Sequence, residues 1–115
     1  MTITKLTPTQ VHDMWVTNNL RRVVTSLSLD TLDDCLFVTH NGNVVAYLEL
    51  FIDDDEVEIL EIVSLHKEAG SLLMNHIKGI YDVITADILE SARYFYVKHG
   101  FTKRDYDDSE MIWNR

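Results

Sequence analysis

Two hydrophobic spacings alternate along this chain, and the points where one gives way to the other outline its elements. Residues 2–6 alternate and predict a first strand. Thr7-Pro8 then marks a helix start, with threonine as the cap and proline at the first helical position. That helix runs through Val16 and gathers Val11, Met14 and Trp15 on one side. Asn18 or Asn19 can cap a second helix through Leu27, whose apolar face is Leu20, Val23, Val24 and Leu27. Residues 28–34 are polar and read as a connection. Cys35–His40 and residues 44–52 are β-rich runs around Asn41-Gly42-Asn43, a strong hairpin signal. Asp53-Asp54-Asp55 gives a second turn. Glu56–Ser64 then alternates, which places Val57, Ile59 and Glu61 on one face and Glu58, Leu60 and Ile62 on the other. A third helix starts near Ala69-Gly70 and carries Leu72, Leu73, His76, Ile77 and Ile80. Residues 82–86 form a short strand, and residues 89–99 a helix that stops at Gly100. Residues 101–106 and 110–113 close the chain as a hairpin around Asp107-Asp108-Ser109. The order β-α-α-β-β-β-α-β-α-β-β places the chain in the α/β class, with a mixed, mostly antiparallel sheet flanked by helices.

Composition narrows the setting. At 115 residues the chain is one domain, residues 1–115, and its 46% hydrophobic content suits a packed core. No apolar run is long enough to span a bilayer, and the first residues lack the segments of a signal peptide. The one cysteine, Cys35, forms no internal disulfide, which suggests a reducing cytoplasm; it opens an apolar run and is expected to be a buried thiol. No Cys/His spacing suggests a metal site. A net charge of −9 argues against direct nucleic-acid binding. The acidic residues gather at turn-like positions, residues 53–56 and 105–110 among them, which reads as a solvated surface. The same field would steer a basic substrate or protein partner. His76, on an apolar helical face, is expected in the core.

The most informative stretch is Ala92-Arg93-Tyr94-Phe95-Tyr96-Val97-Lys98-His99-Gly100-Phe101. It reads as a short helix ending at a glycine that feeds directly into a strand. A tyrosine near the end of such a helix puts a phenol at the mouth of an α/β domain, where it could protonate a leaving group. The pattern A-x-x-F-Y-x-K-x-G-F resembles the last helix of the GNAT acetyltransferase superfamily. That family moves an acetyl group from acetyl-coenzyme A to an amine by direct attack.

The resemblance implies roles for named residues. Tyr96 matches the tyrosine that protonates the coenzyme thiolate, with Tyr94 as the alternative if the alignment slips. Glu58 and Glu61, on the strand before the third helix, are the candidates for the base that takes the amine's proton. The strand edge Ile62, Val63 and Leu65 would pair with the pantetheine arm. Lys67, Ala69, Gly70 and Ser71 would hold the diphosphate at the start of the third helix. Glu68 stands where the family's loop has a glycine, the loop is several residues short, and Leu89 replaces an asparagine near the coenzyme. These departures favour a second reading: a protein, similar to some small phage-encoded ones, that keeps the fold and acts by binding another protein. A third, an acidic DNA mimic, has little support because the acids sit at turns. A homodimer paired through an exposed sheet edge stays open.

Overall fold

Asn41 and Gly42 both hold positive φ, 53° and 81°, as a two-residue type I′ hairpin requires. That turn sets the register of the sheet's N-terminal half, His40 facing Asn43. The computed structural model describes residues 1–24, 28–104 and 107–115, with backbone only at Asp107 and Asp108. Its strands are β1 (Thr2–Thr4), β2 (Cys35–His40), β3 (Asn43–Asp53), β4 (Glu56–Ser64), β5 (Val83–Asp87), β6 (Thr102–Arg104) and β7 (Asp107–Asn114). Its α-helices are α1 (Pro8–Thr17), α2 (Leu20–Val23), α3 (Lys67–Lys78) and α4 (Arg93–Lys98). The strands form one sheet in the order β1-β2-β3-β4-β5-β7-β6. β4 and β5 pair in parallel, and the other neighbours are antiparallel. The mixed, mostly antiparallel α/β sandwich read from the sequence is the architecture found.

The two faces of the sheet carry separate cores. On one, α3 presents Ala69, Leu73, Met74 and Ile77 to Val38, Leu48, Ile59 and Ile84, and Tyr96 of α4 completes the packing. On the other, Val11 of α1 and Leu20 and Val23 of α2 cover Cys35, Phe37, Val44 and Tyr47. Thr7 and Gln10 form a reciprocal capping box that fixes where α1 begins. Cys35 is buried, as expected, with its thiol 3.3 Å from the Thr31 carbonyl and 3.7 Å from the Tyr47 hydroxyl. Among the described residues, no helix is long and apolar enough to cross a membrane.

Several boundaries differ from the sequence reading. α2 ends at Val23 because Val24 is extended; Leu27 lies outside the described residues. The connection at residues 28–34 contains a 3₁₀ helix, Leu29–Asp34, capped by Ser28 and anchored by buried Leu32. α3 starts at Lys67, two residues before Ala69, because the His66 side chain caps it. His76 is exposed: the buried stripe of α3 runs through Leu73, Met74 and Ile77, and His76 falls off it. The helix expected over residues 89–99 is a 3₁₀ turn, Glu90–Ala92, followed by α4. Arg104 faces Asp107, so Asp107-Asp108-Ser109 belongs to β7 and does not form the turn; residues 105–106 lie outside the described residues. Asp53, Glu56 and Glu110 likewise lie on strands.

Candidate functional site

The site grows from one extra residue in β4. Glu61 faces Glu49 and Ile59 faces Leu50, so Leu60 has no residue opposite it. This is a β-bulge, and it reverses which face the following side chains take. Val57 and Ile59 point into the α3 core; beyond Leu60, Ile62 joins that core and Val63 packs against the other. Glu61 therefore shares the α1 face with Glu58, contrary to the strict alternation read from the sequence.

The bulge also ends the parallel pairing. β4 and β5 stay in register from Glu56↔Val83 to Ile59↔Ala86 and no further. Past that point the strands part, and β5 runs on beside β7, with the Ile88 amide donating to the Ser109 carbonyl. On the β3 side the Leu65 amide donates to the Val45 carbonyl at 2.7 Å. Backbone groups alternate sides along a strand, so Val63 also points toward β3, while Ile62 and Ser64 point into the gap. Of the expected edge Ile62, Val63 and Leu65, the Ile62 backbone faces the gap together with that of Ser64, while Val63 and Leu65 face β3. A cleft of about 180 Å³ occupies this gap, lined by Ile62, Ser64, Gly70, Ala92, Phe95 and Tyr96.

Tyr96 forms one wall. The residue is only 4% exposed, and its ring packs edge-on against Phe95 and Phe101 at 5.4 and 5.2 Å. Its hydroxyl has no hydrogen-bond partner among the described residues, yet no side-chain oxygen among them is sealed without one. The phenol oxygen thus opens onto the cleft. Burial pushes its pKa up to about 12, so it is protonated at neutral pH. Tyr94 is 78% exposed and points elsewhere.

The start of α3 is less open than the sequence suggests. Nδ1 of His66 accepts a hydrogen bond from the Glu68 amide at 3.3 Å, and the Ala69 amide donates to the His66 carbonyl at 3.0 Å. Ser64 ties the loop down from both sides: its hydroxyl donates to the His66 carbonyl and accepts from the His66 amide. Donors that could grip an anion are in part already satisfied. Lys67 and Glu68 are exposed. A Cβ on Gly70 would come 3.2 Å from Cε1 of Phe95 and 3.6 Å from Cβ of Ser64, so this glycine permits close packing of α3, α4 and β4. The Ser71 hydroxyl lies 3.1 Å from Nε2 of His99 and joins α3 to the end of α4. Burial, and then the charges of Lys78 and Lys98, hold the His99 pKa below its ordinary value.

The two candidate bases separate in space. Glu61 is half-buried opposite Glu49; burial first, and the Glu49 charge second, raise its pKa. Glu58 is exposed, opposite Phe51 on β3 and Thr85 on β5, where the two parallel strands are still joined. The bulge thus places Glu61 beside the gap and leaves Glu58 upstream of it. Glu49, which the sequence reading missed, accepts from the Thr31 hydroxyl at 3.0 Å. Its signal was a lone carboxylate inside an apolar strand. Leu89 is 78% exposed and lines nothing in the cleft. Among the described residues, no cluster of His, Cys, Asp or Glu could hold a metal ion.

No protein-family model matches the chain, and no curated protein matches it in sequence. Solved structures do match in shape. The PaiA N-acetyltransferase of Thermoplasma acidophilum, solved with coenzyme A, superposes with a TM-score of 0.74 at 18% identity, over 99% of this chain and 98% of that one. N-acetylglutamate synthase of Neisseria gonorrhoeae, solved with coenzyme A and N-acetyl-glutamate, gives a TM-score of 0.71 at 14% identity. That match covers 98% of this chain, which spans only about a third (34%) of the synthase. The anti-CRISPR protein AcrVA5 matches with a TM-score of 0.56 at 21% identity, over 70% of this chain and 98% of its own. The split parallel pair β4–β5, the helix α3 that follows it and these superpositions together show that the chain has the GNAT acetyltransferase fold.

Proposed function

We propose that this single domain is an acyl-coenzyme A-dependent N-acetyltransferase acting on a primary amine in a reducing, cytoplasmic setting. The observation that carries the reading is the bulge-opened gap with a protonated phenol on its wall. The free edge at Ile62 and Ser64 fits an amide-bearing pantetheine arm. The start of α3 fits a diphosphate once the His66 ring swings off the Glu68 amide, with Lys67 as the nearby cation. Acetyl-coenzyme A would supply the thioester that the amine attacks. Glu61, through a water, takes the proton that an alkylammonium carries at neutral pH. Its raised pKa makes it a better base than an ordinary surface carboxylate. Tyr96 gives its proton to the departing thiolate and regains one, through water, from the second N–H that the nitrogen loses on becoming an amide; the proton held by Glu61 leaves to solvent.

A thermal-shift titration with acetyl-coenzyme A tests the reading. Ligand at 100 times its dissociation constant should stabilise the fold by about 2.7 kcal/mol. No shift at millimolar ligand overturns it.

A second reading is supported by the satisfied amides of Glu68 and Ala69. Under it the chain keeps the fold and acts by binding a basic protein partner. The His66→Ala variant separates the two: coenzyme binding tighter than in the parent favours a self-capped enzyme, and none in either favours a binding protein.

A further inference from the structure

Away from α3, the sheet is bare over β4 and β5 next to β7. There Phe51 is 60% exposed, and a trough of about 200 Å³ lies between it and the β6–β7 strands. Asp53, Glu56 and Glu58 line one side. Glu110 lines the other and is neutralised by Arg104 at 3.1 Å. Asp53, Glu56 and Glu58 have no ion-pair partner among the described residues. Acidity by itself is no site, but the trough wall carries an independent feature. Thr85, directly opposite Glu58, is only 5% exposed, and its hydroxyl has no hydrogen-bond partner among the described residues. No side-chain oxygen among them is sealed without a partner, so this one opens into the trough. A buried strand position that needed packing alone would be served by valine. A hydroxyl there, unpaired and facing carboxylates, is an acceptor waiting for a donor.

The chemistry of the donor follows from the lining. It must be cationic, because the trough carries a net negative charge. It is organic, because no metal-ligand cluster exists among the described residues. An ammonium group has three N–H donors, enough for the Glu58 carboxylate and Thr85 together. The exposed Phe51 ring offers a face for the cation or for the methylene chain behind it.

We propose that this trough binds an alkylammonium group, and that it anchors a second cationic group of the acceptor about 10 Å along β4 from Glu61. The binding stands by itself; the anchoring role rests on the acyl-transfer reading. Two sources carry this chemistry, a free polyamine and a lysine-rich peptide.

The test is calorimetric titration of the coenzyme-free protein at fixed ionic strength with spermidine, a dilysine peptide and butylamine. Saturable binding of spermidine or the peptide, tighter than that of butylamine, is expected. Thr85→Val and Glu58→Gln should each weaken it about tenfold or more, with the melting temperature retained. Spermidine binding tighter than the peptide assigns a polyamine; the reverse assigns a protein amine. No saturable binding by either probe, or binding unchanged in both variants, overturns the proposal. Thermal shift with acetyl-coenzyme A on the same samples keeps the two readings apart. Amine binding without a coenzyme response removes the anchoring role and leaves the trough; a coenzyme response without amine binding removes the trough alone.

Discussion

The two faces of the sheet have opposite characters. The α3 face is largely closed: aliphatic side chains and the Tyr96, Phe95 and Phe101 rings fill it, and a cleft opens where β4 and β5 part. The other face is closed by α1 and α2 over β2 and β3, then lies open where Glu58, Thr85 and Glu110 line a trough. One face thus holds the Tyr96 phenol in apolar surroundings, and the other gathers carboxylates. Glu61 belongs to the second because of Leu60 alone. The unpaired place of one residue therefore keeps a carboxylate out of the aliphatic core.

Removing that residue should break the arrangement most severely. Deleting Leu60 makes Ile59 and Glu61 consecutive, so Glu61 stays opposite Glu49 and Ile62 stays in the α3 core. What goes is the bulge: β4 should run on in register with β5 beyond Ile59 and close the gap. Coenzyme binding should then be lost with the fold kept, read by thermal shift with acetyl-coenzyme A beside urea denaturation. Coenzyme binding unchanged in the deletion variant would mean that the bulge is incidental.

Tyr96 offers a sharper contrast, because packing and chemistry can be separated. Tyr96→Ala removes a buried ring and should cost about 3–5 kcal/mol. Tyr96→Phe keeps the ring and loses only the hydroxyl. It should fold normally, with acetyl transfer reduced about 100-fold if the phenol is the proton donor. Full activity in Tyr96→Phe would leave this tyrosine a packing residue.

At the start of α3 the expected effects have opposite signs. His66→Ala loses a cap and about 1 kcal/mol of stability. It also frees the Glu68 amide, so coenzyme affinity should rise several-fold in the same variant. Loss of both stability and affinity would show that His66 supports the binding conformation.

The smallest effect concerns Glu61. Its folded pKa lies above its unfolded value, so the folded state binds the extra proton between the two. Stability should therefore fall as pH rises through that interval, which begins at the ordinary carboxylate range. Glu61→Gln should flatten this slope. At pH 7 it should stabilise the fold by about 0.5 kcal/mol, since like charges directly opposite each other destabilise a strand pair. Paired denaturation curves at pH 4 and pH 7 measure it.

How far the sequence disclosed this molecule depended on the length scale of each signal. The type I′ turn at Asn41-Gly42, the cap at Thr7-Pro8 and the stop at Gly100, whose φ is +88°, are local chemistry and were legible. The helix bearing Tyr96 was legible from its motif. The bulge was not: Leu60 looks like any other apolar strand residue, and only the pairing of β3 with β4 shows that it has no partner. That one displacement moved Glu61 to the other face and shifted the open edge to Ile62 and Ser64. The His66 cap was hidden for a related reason. An imidazole is a rare helix cap, so glycine drew attention to the wrong starting point. Thr85 read as one polar residue in a short strand, and its importance rests on what β4 places across from it.

The gap between β4 and β5 as the coenzyme channel is tested most directly by amide NMR with and without coenzyme A. The Ile62 and Ser64 amides should shift and become protected from exchange on binding, while Val63 and Leu65, already turned toward β3, change little. Unperturbed Ile62 and Ser64 amides in the presence of saturating coenzyme would contradict the account.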